Sequence, residues 1–503
     1  MPTTNKPDSS PVILLGTATT LSLLADQLRL LPDAPPAAAY LNVEDGEATL
    51  GRLAKLRAES GASVAFLSLP NSMRPQLAAL QRNVRDAGLD ARVIPPLNEL
   101  LEGIVPATVA KKDRDIDVAD LIGRTPYGID RRAVAGVLEG SRVLITGAGG
   151  SIGSEIARIT ATFHPSELLL MERSENALFE IDRQIARKFP DVKRRALLHD
   201  IADADATMRH VLELKPDVVF HAAAHKHVPL MEDHPSHALT NNLFGTKSVA
   251  DAALACGSRR FVLISSDKAV NPTSVMGATK RLAEMYTQGL HRQARAVRAD
   301  RATGFSMVRF GNVLGSACSV LPIWSNQIAE GGPITVTDPR MTRYFMTIHE
   351  AAMLVIQSAA IPAGDDAAVF VLDMGEPVKI LDLAMRFVRA QGFAPVVSGT
   401  AFSADGDLPR MEIALTGKRP GEKLHEELCY AAEQLRPTTF PGIHAWAGEM
   451  PAEFNLPAMV AELGAARQMT DKQSVVRAIR KHVPEMRPEQ TIEAKSVQVG
   501  LAA

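Results

Sequence analysis

Short apolar runs alternate with helix-period stretches along most of the chain, a pattern that predicts βα units stacked into parallel sheets. It starts with an apolar run at residues 12–15, followed by a helical stretch through Leu31. Strand-like runs recur at 38–43, 62–67 and 91–94, separated by a helix near Leu53 and another over 73–87. Residues 11–104 therefore read as a small Rossmann-like α/β domain. Its first turn, Leu15-Gly16-Thr17-Ala18-Thr19-Thr20, carries a single glycine and lacks the further glycines of a phosphate loop, so the expected role is structural or docking.

Residues 105–140 break the alternation. They carry a charge run from Lys111 to Asp115 and read as a linker with short helices and a solvated face. From residue 141 the pattern resumes with strands at 143–145, 167–172, 195–200, 217–221 and 260–266 and helices between them. A long helix is predicted over 273–290. This is the signature of a doubly wound parallel sheet, assigned to 141–305. Beyond 305 the pattern loosens, with strand-like runs at 308–312, 332–336 and 369–372 and a turn at 419–423 leading into a helix. Residues 306–440 are read as a smaller C-terminal substrate lobe, 441–503 as a helical tail, and 1–10 as a disordered start. The fold class is α/β.

Composition narrows the function classes. A chain of 503 residues exceeds one compact core, and 46% hydrophobic with 22% charged residues is the balance of a globular protein. A net charge of −2 without a long basic run argues against a nucleic-acid partner. Cys256, Cys318 and Cys429 are too dispersed for a disulfide framework or a thiolate metal site, which points to a reducing, cytoplasmic setting and no metal. The polar first ten residues do not form a signal peptide. The most apolar early stretch, 12–31, is interrupted by Asp26 and Arg29, and no run reaches the ~18 residues of a transmembrane helix.

Two constellations carry chemistry. The first is Thr146-Gly147-Ala-Gly-Gly150-Ser151-Ile152-Gly153, a TGxxGxxG turn between a buried strand and a helix. Glycines at this spacing let a dinucleotide diphosphate approach backbone N–H groups and the helix N-terminus. The next strand ends in Glu172, at the distance expected of a ribose-binding carboxylate, with Arg173, Ser174 and Asn176 following. Asp200 and Ile201 end the third strand, where adenine is contacted, and Ala222, Ala223 and Ala224 follow the fourth. Glu172 would repel a 2′-phosphate, so NAD is preferred; Arg173 leaves NADP open. A glycine turn alone could be structural, but this strand and acid context makes it a dinucleotide site.

The second constellation is Ser265-Ser266-Asp267-Lys268, directly after the apolar strand 260–266, with Met276 and Lys280 beyond it. Open α/β sheets bind ligands past the carboxyl ends of their strands. An isolated Asp-Lys pair would be a surface ion pair; this position makes it an acid–base candidate. Lys280 lies four residues after Met276, on the same helical face. Short-chain dehydrogenases place a tyrosine where Met276 stands, and a thioether cannot accept its proton.

With these motifs in place, residues from about 124 to 428 resemble the CapD-type nucleotide-sugar 4,6-dehydratases, an extended short-chain dehydrogenase/reductase family. The matching pieces also include Lys226-His-Val-Pro229, Asn242-Leu-Phe-Gly-Thr246, Arg309-Phe-Gly-Asn-Val-Leu-Gly315 and Arg419-Pro-Gly-Glu-Lys423. Met276 resembles the subgroup with methionine in the tyrosine position, whose members carry transmembrane helices and an α/β domain ahead of the dehydratase. This chain is expected to keep the α/β domain without the helices, giving a cytoplasmic location with peripheral membrane association left open. The resemblance implies conversion of a UDP-N-acetylhexosamine, most often UDP-N-acetylglucosamine, to a 4-keto-6-deoxy sugar for polysaccharide synthesis, with NAD taking hydride from C4 and returning it to C6. It implies Asp267 as acid at the C6 hydroxyl, Lys268 in removal of the C5 proton, and Lys280 and Ser266 as orienting groups. Lys226 would line the site. Arg309, Asn312, Arg343, Arg419 and Glu422 are implied contacts for the diphosphate, uridine and ribose. Arg343 as a plain surface arginine and Glu422 as a helix N-terminal charge are the structural alternatives. A homo-oligomer is expected. An epimerase or an inactive NAD-binding regulator remains as an alternative, but a retained Asp-Lys pair favours loss of water.

Overall fold

The computed structural model describes residues 11–18, 20–22, 24–25, 36–46, 48–69, 74–94, 126–297, 303–316, 319–362, 368–399, 408–419, 421–430, 435–446 and 455–486. The expected disordered start, the charge run at 111–115, the far part of the helix through Leu31 and the end of the tail fall outside them. The chain divides into two units, residues 1–114 and 115–503.

In the first unit the apolar run Val12–Gly16 is buried throughout and pairs in parallel with Ala37–Asn42 and Val64–Ser68. Asp90–Val93 completes a four-stranded parallel sheet beside Val64–Ser68. The turn after the first strand is closed by its own hydroxyls. Thr20 Oγ1 accepts from Thr17 N at 2.9 Å and donates to Ser68 O at 2.6 Å. Helix Leu50–Ser60 is capped by the Thr49 side chain and stopped by Gly61 in the left-handed region, packing Leu53 on the sheet.

The second unit is built on a nine-stranded sheet. From one edge the order is Leu435–Pro437, Ile443–Trp446, Ala368–Leu372, Gly304–Arg309, Arg260–Ile264, Val218–His221, Arg142–Thr146, Glu167–Glu172 and Arg194–Leu198. The strands from Ala368–Leu372 onward run parallel; Ile443–Trp446 pairs antiparallel with both Ala368–Leu372 and the edge strand Leu435–Pro437. Strand residues alternate faces, and here both faces are covered. Val143 and Ile145 join one core with Ile156 and Val262, while Leu144 joins the other with Phe261 and Leu282. That is why these strands read as unbroken apolar runs. Arg142–Thr146 has a later strand on each side, so the topological switch point lies at its carboxyl end. A smaller lobe beyond residue 311 holds the sheet of Ile334–Val336, Arg410–Leu415 and Ala394–Val397, with a core around Trp324, Leu383, Phe387 and Ile413.

Three expectations are corrected. Within the expected linker, residues 126–140 belong to the second unit. Asp130 caps helix Arg131–Leu138, whose Val134 and Leu138 are fully buried in its core. The tail is likewise integral: Ile443–Trp446 is a sheet strand, and helices Leu456–Ala466 and Lys472–His482 bury Met459, Leu463, Val475 and Ile479 in the core beneath helix Val275–Val297. The turn at 419–423 does not open a helix, because residues 421–430 form an irregular segment bridged at His425 to Thr342. Among the described residues no helix is long and apolar enough to cross a membrane.

Candidate active site

Strand Arg142–Thr146 delivers the glycine turn to the switch point. Gly147 sits at φ +64, and a Cβ there would meet the Ala223 backbone at 2.8 Å; a Cβ on Gly153 would lie 2.1 Å from Gly147 O. Only glycine lets strand, turn and helix Ser151–Ala161 close this tightly, with the helix N-terminus facing outward. Ser151 and Ile152 open that helix. Glu172 ends the neighbouring strand, its carboxylate accepting from Gly149 N at 3.2 Å, Arg173 N at 3.0 Å and Ser174 N at 3.1 Å.

A cavity of about 220 Å³ lies over these strand ends, lined by Gly147, Gly150, Glu172, Arg173, Asp200, Ile201 and Ala222 to Ala224. Asn176 is exposed on helix Glu175–Lys188 and does not line it. The residues fit a dinucleotide: a helix N-terminus for a diphosphate, a carboxylate with unused acceptor capacity for a ribose diol, and an alanine wall for a flat ring. His225, which its place in the chain suggests for packing or turn chemistry, also lines the cavity and accepts on Nε2 from Arg173 Nη2 at 2.6 Å. His221 is buried between Thr146 Oγ1 (2.7 Å) and Thr246 Oγ1 (2.9 Å), and burial together with the Lys280 charge pushes it down to about 3, so it is neutral.

The next strand but one, Arg260–Ile264, carries the acid–base pair. Ser266 caps a short turn over Asp267–Ala269. Asp267 is fully buried. Its Oδ1 accepts from Ser266 Oγ at 2.8 Å and from Lys268 Nζ at 3.0 Å, whereas Oδ2 has no hydrogen-bond partner among the described residues. An unpaired buried acceptor costs about 1–3 kcal/mol, a penalty seldom kept without a use. Gly311 leaves room beside it: a Cβ there would stand 3.3 Å from Oδ2.

Lys268 Nζ also donates to Asn312 Oδ1 at 3.1 Å and lies 3.6 Å from Glu426 Oε1. Burial opposes the lysine charge, but Asp267 and Glu426 beside it outweigh burial and hold it above the ordinary value. Lys268 is therefore an ammonium. Lys280 Nζ donates to Ile264 O at 2.5 Å, and burial drives it down to about 8 against the opposing pull of Glu284. Met276, one turn earlier, is buried in the core and offers no proton acceptor.

The implied substrate contacts separate. Asn312 is brought to Lys268. Lys226 lies exposed past Val218–His221, and Arg419 is exposed with its N–H donated to Glu422 Oε2 at 3.3 Å, so Glu422 closes a turn rather than starting a helix. Arg309 is corrected. It is fully buried, and its guanidinium grips Glu284 through Nε and Nη2, both at 2.8 Å. Glu284 also accepts from Ser265 Oγ at 2.6 Å and Arg281 Nη1 at 3.3 Å. Burial opposes its charge, yet the two arginines hold it at about 2. Arg309 thus serves the core and cannot reach a diphosphate from there. Arg343 is also corrected: 7% exposed, it donates to the carbonyls of Thr342, Lys423 and Leu424. It is therefore not a plain surface arginine. Glu284 and Glu426 were missed. The i, i+4 spacing of Lys280 and Glu284 was the only signal for either.

Residues 143–447 match the family model described as "Polysaccharide biosynthesis protein". The chain is 44% identical over 380 residues to the probable polysaccharide biosynthesis protein EpsC of Bacillus subtilis, and 42% identical over 364 residues to the capsular polysaccharide biosynthesis protein CapD of Staphylococcus aureus. These alignments take in 75% and 72% of this chain but only 59% and 57% of those proteins. It is 30% identical over 289 residues to the UDP-N-acetylglucosamine 4,6-dehydratase (inverting) of Campylobacter jejuni, covering 56% of this chain and 76% of that enzyme. The X-ray structure of Pen from Bacillus thuringiensis aligns with a TM-score of 0.53 at 33% identity, over 61% of this chain and 88% of that one. With its switch-point cavity and strand-end carboxylate in the matched region, the chain belongs to the polysaccharide biosynthesis protein family, among the nucleotide-sugar dehydratases and epimerases.

Proposed function

We propose that this chain is an NAD-dependent 4,6-dehydratase of a UDP-N-acetylhexosamine, with UDP-N-acetylglucosamine as substrate, in surface-polysaccharide synthesis. One observation carries the reading: Asp267 stands buried with one carboxylate oxygen unpartnered beside the Lys268 ammonium, at the carboxyl end of a central strand. Epimerisation at C4 needs no such pair; loss of water does.

When bound, NAD supplies an acceptor for the C4 hydride and returns that hydride to C6. The chain's residues do the rest. Asp267 takes the proton of the C4 hydroxyl as the ketone forms, since Met276 cannot. The ketone acidifies C5; with Asp267 now carrying a proton, Glu426 is the carboxylate left to receive the C5 proton, relayed through Lys268, which passes one proton on as it takes one and so stays the cation that steadies the charge building on the C4 oxygen. As the C5 electron pair forms the C5–C6 double bond, the C6–O bond breaks and Asp267 gives its proton to the departing hydroxyl, releasing water. Hydride at C6 and a proton at C5 complete the 4-keto-6-deoxy sugar. Asp267 is covered in this state, so substrate entry has to open the rim; catalytic contacts commonly tighten only in the complex.

Glu172 favours NAD over NADP, and Lys280 sets a positive charge near the nicotinamide ribose. NMR of the purified protein incubated with UDP-N-acetylglucosamine tests the reading. A 6-deoxy methyl signal with a C4 ketone is expected; a C4 epimer, or unchanged sugar, would overturn it.

A further inference from the structure

Beyond the exposed Arg419, residues 421–427 are anchored to the fold. They are docked on the residues that immediately follow the acid–base pair. Lys423 Nζ donates to Val270 O at 2.8 Å, Thr273 Oγ1 to Gly421 O at 3.0 Å, and Asn271 Nδ2 to Glu427 Oε2 at 2.8 Å. Arg343 fastens the same segment through the carbonyls of Lys423 and Leu424. The outcome is to bring one further carboxylate, Glu426, to the site. Its side chain is 3% exposed, its Oε1 lies 3.6 Å from Lys268 Nζ and 3.8 Å from Arg343 Nε, and its Oε2 has no hydrogen-bond partner among the described residues.

We propose that Glu426 is a positioning residue of this site, holding the Lys268 ammonium at the rim together with Asp267 and itself held by Arg343. Of the three groups, only Lys268 reaches the surface, with 22% of its side chain exposed against 0% for Asp267 and 3% for Glu426. The lysine is thus the group shown at the closed rim; Asp267 Oδ2 is reached once the rim opens, and Glu426 stands behind Lys268. The charged groups around Nζ are Asp267 from its own turn, Glu426 from the clamp and Arg343 from strand Thr342–Arg343. The Asn312 amide oxygen adds a neutral acceptor. Two anions against one more distant cation keep the amine protonated, which assigns Lys268 the work of a fixed cation rather than of a free base. The inference deepens the dehydratase reading, because it concerns the charge beside the C4 oxygen.

The test is acetylation of Lys268 by acetic anhydride in the full chain, with labelling rates compared by peptide mass spectrometry over pH 7.5 to 10.5, the rising limb on which the neutral amine appears. Removing an opposite charge at this range moves a titration by about one pH unit. Glu426→Gln should therefore label Lys268 roughly tenfold faster than the wild type at fixed pH on that limb. Glu426→Asp should stay near the wild type. Should Glu426→Gln fail to fold, Arg343→Lys, which loosens the clamp, should give a smaller acceleration. A Lys268 labelling rate identical in wild type and Glu426→Gln across that limb would overturn the proposal. In turnover, Lys268→Arg should keep measurable dehydration while Lys268→Met loses it; an inactive Lys268→Arg alongside an active wild type would also count against it. Labelling needs no sugar, so a wild type that leaves UDP-N-acetylglucosamine untouched would sink the dehydratase reading and still leave the labelling result decisive for Glu426.

Discussion

Arg309 sits in a motif that invites assignment to the substrate, yet the fold makes it half of a buried ion pair. The two roles predict opposite phenotypes for Arg309→Met. Both side chains of the pair are 0% exposed and joined by two 2.8 Å bonds, so the substitution strands a buried carboxylate. Breaking such a pair costs about 3–5 kcal/mol. A second route gives a similar figure: holding Glu284 at about 2 against an ordinary 4.5 is worth roughly 3 kcal/mol. Because the folded value lies below the unfolded one, this stability is present above pH 4.5 and lost as pH falls toward 2. Arg281, at 3.3 Å, keeps part of the charge compensated, so the lower end of the range is expected. The natural assay is urea unfolding read by tryptophan fluorescence. Trp324 and Trp446 are the two tryptophans, both in the second unit, and Trp446 lies 5.0 Å from the Arg309 guanidinium. At ~3 kcal/mol per molar urea the midpoint should drop by roughly 1 M. Glu284→Leu combined with Arg309→Met should recover much of the loss, since apolar replacement of a buried pair is often neutral or better. An Arg309→Met protein of unchanged midpoint that binds UDP-sugar many-fold more weakly would refute the structural role.

Three further outcomes follow from the site. Asp267→Asn should lower both cofactor reduction and water loss by ~10²-fold or more, whereas Met276→Leu, which keeps volume, should cost under ~1.5 kcal/mol of stability and little turnover; the reverse ranking in stopped-flow absorbance would refute the assignment. Lys280 titrates at about 8 in the fold and 10.5 outside it, so the unfolded chain binds more protons between those values. Its contribution should make stability rise with pH across that window while turnover falls as the ammonium is lost; Lys280→Met should flatten both trends in urea midpoints and initial rates. Nucleotide released by denaturing the purified protein should have the mass of NAD, and mainly NADP would show that Arg173 rather than Glu172 decides the choice.

The doubly wound sheet was legible because strands covered on both faces must be apolar without interruption, as in Leu168 to Met171. The cofactor turn was legible because Gly147 and Gly153 are required by sterics that any sequence must obey. What could not be read was the destination of a charge. Arg309, Arg343 and Asn312 have the same composition and motif setting whether they face a ligand or the fold. Only the arrival of Glu284 from a helix 25 residues earlier, or of Glu426 from beyond residue 420, decides between the two. The tail posed the same difficulty. Met459, Leu463, Val475 and Ile479 have helical spacing, which announces an apolar face but not the core it will join.

That tail has a consequence for synthesis on the ribosome. The core that contains Leu144 of the first sheet strand also contains Val483 and Met486, so it closes only after nearly the whole second unit has emerged. Contacts this distant along the chain are slow to form and leave apolar surface uncovered meanwhile. Until residues 456–483 arrive, that core lacks Met459, Leu463, Val475 and Ile479, and the flank of Val275–Val297 that packs on Lys472–His482 has no cover. The first unit, whose four parallel strands lie within residues 12–93, carries no such delay. The first unit can therefore settle early on the ribosome, while the second stays prone to aggregate until residues 456–483 have emerged.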